Sequence, residues 1–297
     1  MDPRTLTSEQ VASYHDKGYV VVKNAVTPEQ LATLRDVVDG FIEQSRSLTE
    51  STNILDLEPE HTPQDPRLRR IRTPIVLHEI FREVALRGKI PALVSDLIGP
   101  NVKFHHNKVN VKVAGGGSEA KWHQDYPFTP HTNLDFCAAA VALDDAVLEN
   151  GCVFAVPGSH KGRAYSHYLD DSFVGYITEE LPEGFLASAQ PMELRAGDVS
   201  IHHCIAVHGS SRNTSPKRRR LLINQYAAAD ALALTYNTST TEYDGYIVAG
   251  EASRFARMES SRVLLPPDFS KVAYRSVFSL QQAGAPKASD ERTLREF

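Results

Sequence analysis

Residues 136–156 read FCAAAVALDDAVLENGCVFAV, and the fold turns on how this stretch is taken. Two short apolar runs, 136–143 and 152–156, flank Asn150-Gly151. Short apolar runs bounded by turn signals read as strands, and Asn-Gly between two of them predicts a hairpin. The pattern extends both ways, with further runs at 109–113, 199–207 and 221–227. Pro157-Gly158-Ser159 and Ala196-Gly197-Asp198 supply more turns. From Val102 to about Ala229 the chain is therefore expected to be mainly β, with flanking helices. Many short strands at this spacing predict a sandwich or barrel, here a jelly roll.

The flanks read differently. Thr7-Ser8-Glu9-Gln10 and Thr27-Pro28-Glu29-Gln30 are capping boxes that open helices, the second with proline in the first turn. Gly18 to Val22 between them reads as a strand. Leu31, Leu34, Val37, Val38, Phe41 and Ile42 follow helical spacing. Residues 47–75 are polar and proline-rich, which predicts a long loop and a candidate lid. A helical pattern returns from Leu77 to Ile98, interrupted by Pro91, and stops at Gly99-Pro100. After Asp230 a helix is expected over Glu251 to Arg262, and 284–297 read as a loose end. The reading is one domain over 1–297: a support of helices and a strand (1–100), a jelly-roll core (101–229) and a C-terminal extension (230–297).

The chain has 297 residues and a formal net charge of −5, a balance that argues against nucleic acid or an anionic membrane surface as partner. Cys137, Cys152 and Cys204 are an odd, sparse set, so buried thiols are expected rather than a disulfide framework. No apolar leader follows Met1 and no run is long enough to span a bilayer. A cytoplasmic protein acting on a small molecule is expected, with oligomeric state open.

The chemistry centres on Trp122-His123-Gln124-Asp125. On a strand, i and i+2 share a face. His123 and Asp125 can then aim an imidazole and a carboxylate at one point, with Gln124 turned away. His208 ends the run that starts at Ile201. Two histidines and a carboxylate make the facial triad of non-haem iron(II) oxygenases, which leaves coordination positions open; a structural zinc site would want four closed ligands. Arg219 lies eleven residues after His208 and beyond a turn at 212–216. Its planar fork suits the distal carboxylate of a 2-oxo acid.

Lys121-Trp122-His123-Gln124-Asp125, Glu149-Asn150-Gly151-Cys152, Pro157-Gly158-Ser159-His160-Lys161, His208-Gly209-Ser210-Ser211-Arg212-Asn213 and Arg219 occur in that order. As a set they resemble the phytanoyl-CoA dioxygenase family of iron(II)/2-oxoglutarate oxygenases. The resemblance implies a double-stranded β-helix, iron(II), 2-oxoglutarate and O2, with ascorbate as a stimulant. It implies that His123, Asp125 and His208 bind iron and that Arg219 binds the 2-oxoglutarate C5 carboxylate. It adds Lys112 and Ser210 as further co-substrate contacts. It also implies hydroxylation of an unactivated C–H bond coupled to decarboxylation to succinate and CO2. In one respect the chain departs from the pattern. Some members carry an aromatic on the strand that here runs from Cys137 to Leu143, and this chain has small aliphatic residues there.

Tyr126, Phe128 and His131 follow the metal motif and are candidates for the substrate mouth, against a plainer reading as a solvent-facing loop. His105-His106 and His202-His203 are adjacent pairs whose members face opposite ways on a strand, so a structural or surface role is expected. Lys217 to Arg220 look like a basic cluster, but alternation points Arg219 inward and Arg218 and Arg220 outward. Two alternatives stand beside hydroxylation. The same site can support desaturation, epimerisation, ring or endoperoxide formation, depending on substrate pose. A non-catalytic cupin-like metal-binding protein would keep the histidines without needing Arg219.

Overall fold

A computed structural model describes residues 5–237, 239–259, 262–270 and 276–284. The chain opens with α1 (Ser8–Lys17), β1 (Tyr19–Val22) and α2 (Pro28–Ser45), and both helices start at the expected capping boxes. β2 (Leu55–Leu57) and β3 (Leu68–Arg72) follow, then α3 (Glu79–Arg82), one π turn and α4 (Lys89–Ile98). Next come β4 (Val102–Lys112), β5 (Ala120–His123), β6 (Phe136–Ala142) and β7 (Val153–Ala155). β8 (Tyr168–Leu169) and β9 (Ser172–Phe173) pair with each other. β10 (Gln190–Met192), β11 (Val199–His203), β12 (His208–Ser210) and β13 (Arg219–Ala228) complete the body, and β14 (Ile247–Ala249) and α5 (Val277–Ala283) close the described chain.

Two antiparallel sheets form a jelly roll. The large one runs β1-β11-β6-β13-β4-β3-β2, with β14 also on β4. The small one runs β10-β7-β12-β5. Alternation along the large sheet sorts its residues. Val109, Val111, Val141, Ile201, Leu222 and Tyr226 join the apolar cluster that includes Leu34 and Val38 of α2 and Leu93 and Val94 of α4. The intervening positions Lys108, Asn110, Lys112, Arg219 and Ala140 line a cavity between the sheets. The usual polar-out pattern is thus inverted: helices cover the outer face and the polar groups point inward. Tyr226 also ties the sheet to the helices, its hydroxyl donating to the Ala85 carbonyl at 2.9 Å. No described helix is long and apolar enough to cross a membrane.

Several expectations are corrected. Asn150-Gly151 is not a hairpin turn: β6 lies in the large sheet and β7 in the small one. The Asn150 side chain instead braces a corner, accepting from Val147 N–H at 2.8 Å and donating to the Asp145 carbonyl at 2.7 Å. Gly151 is left-handed (φ 75°), and a Cβ there would lie 2.5 Å from the Ser211 carbonyl oxygen and 3.1 Å from the Lys112 side chain. The run 199–207 is likewise two pieces, because the chain leaves the large sheet after His203 and enters the small one at His208. Cys204 therefore does not share a strand face with His208.

Residues 47–75 are not a lid. They hold β2 and β3, which extend the large sheet. The break in the 77–98 helix falls at Gly88, in extended backbone; Pro91 sits in the first turn of α4, where its missing N–H costs nothing. No helix forms over 251–259, and the C-terminal helix is α5 instead. The expected loose end falls, beyond Gly284, outside the described residues.

Candidate metal and co-substrate site

β5 and β12 pair in register with His123 opposite His208. Directly opposed residues project to the same side, and the two rings sit 4.2 Å apart between centroids. Each Nδ1 meets a backbone carbonyl: His123 with Lys121 at 2.7 Å, His208 with Ala206 at 2.9 Å. A carbonyl can only accept, so Nδ1 donates and the Nε2 lone pair is left for a metal. Asp125 stands two residues beyond His123, at the start of a short turn over Tyr126–Phe128. One ligand atom from each of His123, Asp125 and His208 lies within 4.8 Å of the others, and all three side chains are buried.

This donor set fits a divalent metal of the iron type, two neutral nitrogens and one anionic oxygen with room for further ligands. Burial, with His123 and His202 nearby, pushes the His208 imidazolium well below its ordinary value, and burial lowers His123 as well. Both rings are thus neutral at pH 7. Burial alone would raise the Asp125 carboxyl. The hydrogen bond from His202, with His208 and Lys108 beside it, outweighs burial and holds it well below the carboxylate range.

His202 was expected to be structural, yet it lines the cavity. It reaches from β11 across to the triad, its Nε2 lying 3.3 Å from Asp125 Oδ2. The partner of a ligating carboxylate sets its orientation. His202→Ala is expected to weaken iron binding by roughly 10–100-fold while leaving all three ligands in place; equilibrium dialysis with Fe(II) checks this.

At the other end of the cavity, Arg219 on β13 faces Lys112 on β4. Burial pulls the Arg219 guanidinium down to about 10, and its Nε is buried with no hydrogen-bond partner. Burial, with Arg219 opposite, lowers the Lys112 ammonium further from its ordinary value. Lys112 Nζ donates to the Ser210 carbonyl at 3.3 Å and to the Ser211 carbonyl. Ser210 also lines the cavity. Two buried basic side chains and a serine thus line one end of the cavity, with the Arg219 Nε–H unsatisfied, which suits a carboxylate. As alternation predicts, Arg218 and Arg220 turn outward, both toward Asp39, at 2.8 and 2.9 Å.

The three mouth candidates separate. Phe128 lines the cavity and packs edge-on to His123, with ring centroids 6.1 Å apart. Tyr126 and His131 do not: the short turn rotates them behind the metal motif. The Tyr126 hydroxyl donates to the His131 carbonyl at 2.8 Å, and the ring packs with Cys204 and Ile205. His131 stacks on Phe136, centroids 4.7 Å apart. Gln124 turns away as expected, its amide donating to the carbonyls of Ile205 at 2.7 Å and Arg163 at 3.1 Å.

Sequence reasoning missed Arg70, Arg72, Lys108 and Asn110 on the cavity wall, and Phe278 and Leu280 of α5 over it. For Arg70 and Arg72 the signal was the alternation Arg70-Ile71-Arg72, hidden because charged residues read as loop.

Comparison with known proteins points to the same fold and cofactor chemistry. The family model described as Phytanoyl-CoA dioxygenase (PhyH) matches residues 14–221. A probable alpha-ketoglutarate-dependent hypophosphite dioxygenase of Stutzerimonas stutzeri is 30% identical over 280 residues, covering 93% of this chain and 97% of the relative. A methylphosphonate hydroxylase of Gimesia maris is 28% identical over 224 residues, covering 75% and 82%. The solved structure of EctD from S. alaskensis with bound Fe superposes with a TM-score of 0.66 at 19% identity, covering 87% of this chain and 89% of that one. With the family model spanning most of its length, the chain belongs to the phytanoyl-CoA dioxygenase family of iron- and 2-oxoglutarate-dependent oxygenases.

Proposed function

We propose that this protein hydroxylates an unactivated C–H bond of a small molecule, converting 2-oxoglutarate and O2 to succinate and CO2. The observation that carries the reading is the joint placement of the triad and the Arg219/Lys112 pair on opposite walls of one cavity. His123, Asp125 and His208 would hold iron(II), which when bound supplies the oxidising chemistry. Arg219 would clamp the C5 carboxylate of 2-oxoglutarate through paired hydrogen bonds, with Lys112 and Ser210 beside it. Phe128 and the α5 residues Phe278 and Leu280 would wall the reacting centre from water. The hypophosphite and methylphosphonate enzymes among its relatives act on small molecules, which supports a substrate of that size.

The test is an anaerobic titration of Fe(II) and 2-oxoglutarate into metal-free protein, followed by visible absorption. A weak charge-transfer band that needs both additions is the expected result. Iron binding without a band on adding 2-oxoglutarate would overturn the co-substrate assignment and favour a metal-binding protein of cupin type.

A further inference from the structure

Gln225 on β13 and His106 on β4 stand opposite each other, and both line the cavity. Gln225 is 3% exposed, and its Oε1 is buried with no hydrogen-bond partner. A buried acceptor left unmet costs stability, so its place in a cavity wall points to a ligand. His106 is 7% exposed. Neither group has a part in holding the metal or in clamping 2-oxoglutarate.

A bulge turns the His106 ring inward. Gln225 pairs with His106 and Tyr226 with Phe104, so His105 is the extra residue of β4. A bulge interrupts alternation and re-aims a side chain. Val102 and Phe104 before it join the outer apolar cluster, and so do Val109 and Val111 after it. On an unbroken strand, even and odd positions could not share that face. Alternation predicts that His105 and His106 face opposite ways; the bulge instead brings their Nδ1 atoms within 2.6 Å of each other.

The proton between the two rings can be placed. Burial keeps both neutral, with Lys108 beside His106 and His106 beside His105, so one Nδ1 donates and the other accepts. The Ser239 N–H donates to Asn237 Oδ1 at 2.9 Å. That fixes the amide and turns its Nδ2 donor toward His105 Nδ1, 3.4 Å away. His105 Nδ1 therefore accepts, and His106 Nδ1 donates to it. The Nε2 lone pair of His106 is left as an acceptor on a ring that lines the cavity. Among the described residues, the contact with His105 is the one hydrogen bond His106 makes through its ring.

The strand register sets this pair against the metal triad. Gln225 lies opposite Ala138 on β6, and Ala138 opposite His202 on β11, the residue that contacts Asp125. Neighbouring strands are about 4.8 Å apart, so a row across the sheet leads from the triad to Gln225 over one alanine. Arg219 and Lys112 lie six residues along the same two strands, about 20 Å at the usual rise. The chemistry of the pair narrows what it can hold. A hydroxyl can donate to His106 Nε2 and meet either end of the Gln225 amide. An ether or a ketone only accepts. An ammonium donates, but Lys108 lies beside His106 and like charges repel.

We propose that His106 and Gln225 form a subsite for a neutral hydroxyl of the substrate, held across the sheet from the metal triad and away from the 2-oxoglutarate clamp. This deepens the oxygenase reading and rests on it only for what happens to the alcohol once bound.

The test is calorimetric titration of the anaerobic protein with Fe(II) and 2-oxoglutarate, with the visible band recorded in parallel. The probes are cyclohexanol, cyclohexyl methyl ether, cyclohexanone and cyclohexylammonium. Cyclohexanol should bind tenfold or more tighter than the other probes. Gln225→Leu and His106→Phe should each cut that preference fivefold or more while the band persists. His106→Gln restores an acceptor and should recover part of it. Nitrogen NMR of the protein loaded with Zn(II) should find the proton on Nδ1 of His106 and on Nε2 of His105. The reverse tautomers, no preference for cyclohexanol, or the parental preference in both Gln225→Leu and His106→Phe would overturn the subsite. Alcohol binding that depends on both residues but comes with no band would keep the subsite and remove the oxygenase reading.

Discussion

Asp125→Ala will reduce 2-oxoglutarate turnover to roughly a thousandth of the parent rate or less, a loss of about 4 kcal/mol or more in transition-state stabilisation. The carboxylate is the triad's anionic donor, and its removal leaves two neutral imidazoles to hold a doubly charged ion. The loss should appear in metal binding before it appears in catalysis. Fe(II) affinity measured by dialysis should collapse, and the charge-transfer band should vanish at any practical iron concentration. A variant that keeps the band would show that Asp125 is not a ligand. The fold should survive at neutral pH, because Asp125 projects into a cavity and not into the apolar cluster. The parent's acid stability should change too. The folded carboxyl is held well below its unfolded value, so its stabilising contribution is complete above about pH 4 and is lost only as the pH falls through the lower folded value. The alanine variant lacks that component and should show a shallower acid limb.

Arg219→Ala should weaken 2-oxoglutarate binding about 100-fold. Hydrogen bonds to a charged partner contribute about 1.5–3 kcal/mol each, and roughly 2.7 kcal/mol corresponds to a hundredfold change in affinity. The maximal rate at saturating 2-oxoglutarate should fall much less, because Arg219 faces the end of the cavity away from the metal. Stability should move the other way. The guanidinium is buried, its value drawn down to about 10, so the charged form is disfavoured in the folded state throughout the pH range below that value. Removing it should leave the ligand-free melting temperature unchanged or higher. Adding 2-oxoglutarate at 100 times its Kd should stabilise the parent by about 2.7 kcal/mol, and the same concentration should give the variant little. Unchanged 2-oxoglutarate affinity in this variant would remove Arg219 from the site.

The sequence made His123 and Arg219 readable through short-range alternation, and Asp125 through its spacing from His123, although it lies past the end of β5. His123 and Asp125 are two residues apart, and Arg219 begins a strand whose next apolar residues set its phase. The jelly roll was readable for the same reason: the period of short runs is local. What stayed hidden was non-local. Asn150-Gly151 has the chemistry of a hairpin, yet it turns a corner between sheets, and only strand pairing decides which. His202 was set aside on the argument that neighbours on a strand face opposite ways. The argument holds, and His203 does pack outward beside Tyr14 and His160, but it did not say which of the two faced the metal. β3 was lost because polarity was equated with solvent. Arg70 and Arg72 are buried, and their neighbour Ile71 belongs to the apolar cluster.

His123 and His208 both stand on the small sheet, while Arg70, Arg72, Lys108, Lys112 and Arg219 all stand on the large one. On the proposed reading, the two histidines that would hold the metal and the Arg219/Lys112 pair that would hold the 2-oxoglutarate carboxylate therefore stand on opposite jaws. Each inward residue of β3 and β4 can be exchanged without disturbing the outward valines and isoleucine that bind the sheet to the helices. On that reading, single replacements on one jaw would change what is held there while leaving both histidine ligands untouched on the other. The same scaffold can change what it grips without relearning how to react.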